Sequence, residues 1–182
     1  MDEIEKRQFI ADLSKQGLEL GEHVRVARII QAPAAAIWKE ISTPGQLIKY
    51  HPYVKENKVY KWPGVGSRDG VLYHSGLYWE RDFIGWSEGV SYDLLIGPPP
   101  RKAAWIFWNL QHLGEAQTEM SLTATPILES HLLETTKKIY VQNFATSVKV
   151  YNESHLRGVE HFVTTGQAVE ARQFGTHPVF AP

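Results

Sequence analysis

One long segment, residues 137 to 165, limits what this chain can fold into. It contains no proline, and Gly158 is its single glycine. Mainly aromatic and aliphatic residues recur at steps of three and four, which is the spacing of one face of an α-helix. These residues are Tyr140, Phe144, Val148, Tyr151, His155, Val159 and Phe162. Such a helix would be about 40 Å long at 1.5 Å per residue, so it needs a broad apolar surface to cover, such as a sheet.

The apolar face of this predicted helix is chemically mixed. Asn152 and His155 lie among its aromatic residues. Hydrogen-bonding groups on an otherwise apolar surface are typical of a wall that contacts a ligand. The mixture therefore favours a ligand-facing helix over one that covers a dry core.

The middle of the chain is predicted to form antiparallel strands. Residues 117 to 125 alternate between apolar and polar side chains, which gives one buried and one solvated face. Residues 104 to 113 are apolar on both faces over half their length, so we expect a central strand that the long helix covers on one face and another element covers on the other. The candidate strands, separated by turns rich in glycine and proline, are 54–62, 71–73, 77–86, 90–96, 104–113 and 117–125.

The segment before these strands supplies one more strand and two short helices. Residues 24 to 30 read as a strand, and Pro33 stands at a helix-start position before residues 34 to 41. A second short helix is predicted before Pro52. The whole order predicts an α+β fold, in which a curved antiparallel sheet of about six to seven strands wraps around the long C-terminal helix.

The two ends of the chain lie outside this pattern. Residues 1–21 contain a short amphipathic helix that we expect to pack outside the main domain as an N-terminal extension. The main domain is predicted to span 22–166. The tail, 167–182, has no periodicity, so it is either disordered or packed on the surface.

Composition excludes several classes of function. The chain has 19 Lys and Arg against 20 Asp and Glu, so no general attraction to nucleic acid is expected. It has no cysteine, which excludes disulfides and a thiolate nucleophile. No stretch approaches the roughly 18 apolar residues of a membrane span, so no stable membrane insertion is expected. The charged first residues lack the apolar run of a secretory signal, which predicts a cytoplasmic protein.

Motifs for cofactors and metals are missing. The sequence has neither a P-loop nor a Gly-x-Gly-x-x-Gly motif after a strand. It also lacks the His-x-His and His-Glu-x-x-His patterns, and His155 and His161 would point about 120° apart on a helix. We therefore expect no cofactor and no metal site, although His74 and His112 could approach His155 in space.

Four pieces of the sequence carry a resemblance to a known superfamily. They are residues 24–33 followed by Ile37 and Trp38, residues 64–68 (GVGSR), residues 76–81 (GLYWER) and residues 154–160 (SHLRGVE). In this order and spacing they resemble the START-like superfamily often called SRPBCC, which includes Bet v 1-type proteins and polyketide cyclase/dehydrase-like proteins. The resemblance covers about residues 22 to 166.

The resemblance implies a helix-grip fold with a hydrophobic cavity between the sheet and the C-terminal helix. It implies ligands such as lipids, polyketides, hormones or other small apolar molecules. It implies no universal catalytic residue, because the superfamily includes both carriers and enzymes. A monomer or a homodimer is the expected assembly.

Two functions follow as hypotheses. The first is binding of a small hydrophobic or aromatic ligand, lipid- or polyketide-like, in this cavity. The second is a polyketide cyclase/dehydratase-like enzyme that uses His155 or Glu80 for acid/base catalysis in the same cavity. The candidate ligand contacts are Tyr73, Tyr92, Trp108, Phe144, Val148, Tyr151, Asn152 and His155.

Each candidate also has a purely structural interpretation. His155 could be a satisfied histidine at the contact of helix and sheet. Glu80 and Asp82 lie on one strand face, where they either carry protons near aromatic side chains or pair with Arg68 on a solvated face. Core packing alone would account for any single aromatic residue.

Overall fold

The computed structural model describes residues 3 to 182, and within them it contains four helices and eight strands. The helices are α1 (Glu3–Lys15), α2 (Ala34–Ile41), α3 (Leu47–Tyr50) and α4 (Glu134–Thr165). The strands are β1 (Leu18–Leu20), β2 (Val24–Ile30), β3 (Val54–Lys61), β4 (Arg68–Tyr73), β5 (Tyr78–Ser87), β6 (Ser91–Gly97), β7 (Ala104–Gly114) and β8 (Gln117–Glu129). None of these helices has the length and apolar character needed to cross a membrane.

The strands form one antiparallel sheet. From β3 to β8 each strand pairs with the next strand in the sequence. β1 and β2 share the final position, because both pair with β8: Leu18 lies opposite Glu129, and Val24 lies opposite Ala124. The eight strands therefore occupy seven positions, and the predicted α+β fold with two short helices after the first long strand is confirmed.

Helix α4 is held firmly over its C-terminal half. Leu156 and Val159 are buried there, and Arg28 of β2 donates a hydrogen bond of 2.6 Å to Glu160. The helix ends at Gly166, which adopts a left-handed conformation with φ of 72° that glycine tolerates without strain. Helices α2 and α3 also pack against α4, so this half of the helix is fixed from several sides.

Gly158 permits the closest of these contacts. A Cβ atom at this position would lie 2.0 Å from the carbonyl oxygen of Tyr50 at the end of α3. No side chain can be accommodated at that distance without a shift of one backbone. The glycine that interrupts the sequence pattern of the helix is therefore the point at which α4 approaches α3.

Helix α1 covers the outer face of the sheet. Its Phe9 packs edge-on against Trp105 of β7, with 5.6 Å between the ring centroids, and its Leu13 is buried. This explains why β7 is apolar on both faces. The division of the chain at residue 21 stays a prediction, and β1 within that extension pairs with the main sheet.

The tail after α4 packs against the domain. His177 and Ala181 exchange two backbone hydrogen bonds of 3.0 and 2.9 Å, and the N–H of Ser75 donates to the carbonyl of Phe180 at 3.1 Å. Phe180 and Ala181 are buried in the core. The tail was expected to be either disordered or packed on the surface, whereas the structure buries these two of its residues in the core.

Substitution of Gly158 by alanine tests the close approach of α4 and α3. In an ordinary helix interior, Gly→Ala stabilises by about 1 kcal/mol. Here the added Cβ forces apart two packed backbones, so we expect the free energy of unfolding to fall by about 1–3 kcal/mol. Urea denaturation measures the change.

Gly114→Ala is the matched control, because no atom lies within 4 Å of a Cβ built there. Its free energy of unfolding should change much less than that of Gly158→Ala. A Gly158→Ala protein as stable as the wild type would contradict the proposed contact.

Candidate functional site

A cavity of about 360 Å³ lies between the inner face of the sheet and α4. Its wall is mainly apolar and aromatic, with side chains from β4 to β8 and from the segment of α4 between Tyr140 and His155. The principal apolar and aromatic lining residues are Val71, Tyr73, Trp79, Leu94, Ile96, Ile106, Trp108, Leu122, Phe144, Val148 and Tyr151. An apolar space with few polar groups is the usual character of a small-molecule site.

Most of the ligand contacts expected from the sequence line this cavity. They are Tyr73, Trp108, Phe144, Val148, Tyr151, Asn152 and His155. Tyr92 does not line it, although it lies on the same face of the sheet. Its ring stacks on Trp108 at 4.9 Å and also contacts Trp38 of α2 and Trp86 of β5. Tyr92 is thus part of the core at the end of the sheet that α2 fills.

Glu80 is also outside the cavity. It accepts a hydrogen bond from Arg68, and Arg68 lies 3.4 Å from Asp82. These groups share the outer face of the sheet, as in the ion-pair interpretation. Glu80 therefore has no position from which to act on a molecule in the cavity.

Arg81, next to Glu80, takes the inward position. It lines the cavity, and its Nε donates to Asp69 Oδ1 at 2.8 Å while its Nη2 donates to Asp69 Oδ2. Asp69 accepts a further hydrogen bond of 3.0 Å from Asn57. Both members of this two-pronged pair are buried, so their opposite charges compensate each other inside the protein. This pair could not be predicted from the sequence pattern, because both faces of β5 carry charged residues.

Polar side chains meet at one part of the cavity wall. His51 and His155 have ring centroids 4.0 Å apart, and His155 contacts the edge of Trp108 at 4.8 Å. The hydroxyls of Tyr73 and Tyr151 lie 3.0 Å from each other. His51 was not among the sequence candidates, because it lies in the short connection after α3, where no periodic pattern indicates the direction of a side chain.

Comparison with solved structures reveals proteins of the same architecture. Ara h 8.0201 superposes with a TM-score of 0.61 at 15% identity, over 82% of this chain and 99% of that chain. TTHA0849 from Thermus thermophilus gives 0.59 at 21%, over 80% and 99% of the two chains. DynU16, a putative protein in the dynemicin biosynthetic locus, gives 0.61 at 12%, over 81% of this chain and 49% of that chain.

The protein has the Bet v 1-like fold. This confirms the helix-grip architecture implied by the START-like motifs. No protein-family model matches the sequence, and no curated protein matches it. The similarity at these low identities establishes the fold alone, so the residues of the cavity must carry the functional argument.

In this Bet v 1-like fold the tail forms an end wall of the cavity. Phe180 lines the cavity and packs against Tyr73 at 4.6 Å and Tyr151 at 4.9 Å. His177 holds the turn: its Nδ1 accepts the N–H groups of Val179 and Phe180 at 3.2 and 3.3 Å. Its Nε2 lies 3.0 Å from Ser147 Oγ of α4, which ties the tail to the helix.

Burial keeps the histidines and tyrosines of the wall uncharged. Burial, with a smaller effect of the Arg81 charge, lowers the pKa of His155 to about 3. Burial has the largest effect on His51 too and, with the neighbouring His155 and the charge of Arg81, holds the pKa of His51 well below its usual value. Burial also raises the pKa of Tyr73 to about 12. At neutral pH these side chains are neutral hydrogen-bonding groups.

Arg81 stays charged in the same environment. Burial opposes its charge, but the charge and the hydrogen bonds of Asp69 hold the pKa of Arg81 above its usual value.

Among residues 3 to 182, no group of three or more histidine, aspartate or glutamate side chains is arranged to hold a metal ion.

The two buried histidines predict how stability depends on pH. Each has a lower pKa in the folded protein than in the unfolded chain, where it is about 6.5. The unfolded chain therefore binds more protons below that pH, and stability falls as the pH is lowered from about 6.5 towards the folded values. Phenylalanine does not bind a proton, so the free energy of unfolding of His155→Phe should fall less steeply than that of the wild type. We expect the difference to be roughly one kcal/mol for each pH unit between pH 6 and pH 4.

Urea denaturation at several pH values measures this dependence. His112→Gln is the control, because His112 is exposed, and its pH dependence should follow that of the wild type. Equal pH dependence in His155→Phe and wild type would mean that His155 is not held neutral by burial.

Proposed function

We propose that the protein binds one small hydrophobic or aromatic molecule in the cavity between the sheet and α4. The observation that supports this most is the cavity itself, which has about 360 Å³ of space and a mainly apolar wall. This volume is in the lower part of the range of about 300–1,000 Å³ for small-molecule pockets. A core that serves stability alone is packed without voids of this size.

The proposed contacts divide into an apolar and a polar group. Trp108, Phe144 and Val148 would contact the apolar body of the ligand, and their positions are on opposite walls of the cavity. Asn152 and His155 would contact its polar end. The aromatic rings of Tyr73 and Tyr151 offer flat surfaces on which an aromatic ligand can pack.

A cyclase- or dehydratase-like activity in the same cavity is the second candidate. The contact of His51 with His155, at 4.0 Å between ring centroids, favours it, because acid/base catalysis needs titratable groups close together. The lowered pKa values of both histidines weigh against it, since a general acid or base works best with a pKa near the operating pH. Within the part of the chain that the structure describes, no aspartate or glutamate lines the cavity.

Three further expectations remain part of the proposal. We place the protein in the cytoplasm, without a cofactor. We expect it to act as a monomer or a homodimer, with residues 22–166 as the ligand-binding domain. The tail, 167–182, would contribute to the cavity through Phe180, which lines its wall.

Titration with prodan, a neutral naphthalene dye whose emission shifts to the blue in apolar surroundings, tests binding. We expect a saturable blue shift with one dye per chain. Val148→Trp should weaken binding at least tenfold, because the larger ring takes up part of the cavity that Val148 lines.

Val150→Trp is the matched control on the same helix. Val150 is 44% exposed and is not among the cavity-lining residues, so this variant should bind prodan like the wild type. No blue shift with wild-type protein, or equal binding by Val148→Trp and wild type, would contradict the proposed site.

A further inference from the structure

Three buried polar atoms lie at one part of the cavity wall without a hydrogen-bond partner in the described part of the chain. They are His51 Nε2, His155 Nε2 and Asn152 Nδ2. Their side chains are 1%, 3% and 3% exposed, and all three residues line the cavity. The great majority of buried polar groups in native proteins are hydrogen-bonded, so such a cluster at a cavity indicates where a ligand would be held.

The hydrogen-bonding character of two of these atoms can be assigned. His51 Nδ1 accepts the backbone N–H of Tyr53 at 3.3 Å. The hydrogen of the neutral imidazole is therefore on Nε2, which makes that atom a donor. Asn152 Nδ2 is an amide nitrogen and also a donor. The partner that these two atoms lack is an acceptor.

The two donors belong to different parts of the chain but to the same neighbourhood. Asn152 precedes His155 by three residues on α4, so the two side chains lie on one face of the helix. The rings of His155 and His51 are 4.0 Å apart. One acceptor group of a ligand at this position can therefore lie near both donors, His51 in the α3–β3 connection and Asn152 on α4.

The charges around the cavity argue against a negatively charged acceptor. Among the described residues that line the cavity, Arg81 is the one charged side chain, and Asp69 already binds its Nε and Nη2. One side chain of this buried pair is positive and the other negative, so its net charge is zero. A carboxylate in this cavity would lose its hydration without gaining a free cation as a partner, which is costly. An uncharged acceptor, such as a carbonyl oxygen, loses much less hydration.

Building on the binding function proposed above, we propose that the ligand is an uncharged aromatic or alicyclic molecule with a carbonyl-type oxygen, and that this oxygen accepts hydrogen bonds from His51 Nε2 and Asn152 Nδ2. The walls formed by Trp108 and Tyr151 hold its ring system. Fatty acids and other anionic amphiphiles are poor ligands for the same cavity.

Displacement of prodan by three naphthalene compounds at pH 7 tests this inference. 2-Acetylnaphthalene carries the carbonyl, 2-ethylnaphthalene has a similar shape without an acceptor, and 2-naphthoate carries the negative charge. We expect the ketone to bind about tenfold more tightly than the hydrocarbon, which corresponds to one net hydrogen bond. The naphthoate should bind at least tenfold more weakly than the ketone.

Asn152→Leu and His51→Phe should each remove most of the preference for the ketone over the hydrocarbon. Binding of 2-ethylnaphthalene serves as the internal measure of an intact cavity in each variant. Gln142→Leu is the control on the exposed side of α4, and it should keep the wild-type preference.

The outcomes separate the two proposals. Equal affinity for the ketone and the hydrocarbon would overturn this inference and leave the binding function in place. A naphthoate that binds as tightly as the ketone would overturn the requirement for an uncharged ligand. If neither prodan nor any of the three compounds binds, the binding function and this inference both fail.

Discussion

The close contact between α4 and α3 at Gly158 is the constraint on which the rest of the structure depends. The carbonyl of Tyr50 lies where any side chain at position 158 would begin, so the C-terminal half of the helix is fixed against α2, α3 and β2. The segment of α4 from Tyr140 to His155 passes over the inner face of the curved sheet. A cavity remains there, with Phe144 and Val148 on one side and the strands on the other.

The depth of this space decides its chemistry. Water cannot stabilise charges at this depth. The charge of Arg81 is therefore compensated by its two-pronged contact with Asp69. The two histidines are held in their neutral form, because burial lowers their pKa values. The result is an apolar space with neutral hydrogen-bonding groups along one part of its wall. Such a wall can orient a bound molecule through directional contacts, whereas it is poorly suited to exchange protons near pH 7. These properties support binding over catalysis.

Much of this architecture could be predicted from the sequence, because periodicity reports directly on burial. The steps of three and four in α4 identified the helix face that lines the cavity, and alternation identified most strands. Periodicity gave no information on His51 and Phe180, which lie in non-repetitive segments and are positioned by local hydrogen bonds. It also could not separate the two faces of β5, where Arg81 is inward and Glu80 outward, nor show that α2 and Trp86 enclose Tyr92. Those details depend on long-range packing.

In the proposed complex, a ligand lies between the sheet and the segment of α4 from Phe144 to His155. Two-dimensional NMR of the labelled protein, recorded with increasing 2-acetylnaphthalene, tests this most directly. We expect saturable shifts of the side-chain signals of Asn152 and Trp108, together with shifts of the backbone signals of α4 around Phe144 and Val148. Shifts confined to the outer face of the sheet, around Trp105 and α1, or no shifts at saturating concentration, would contradict it.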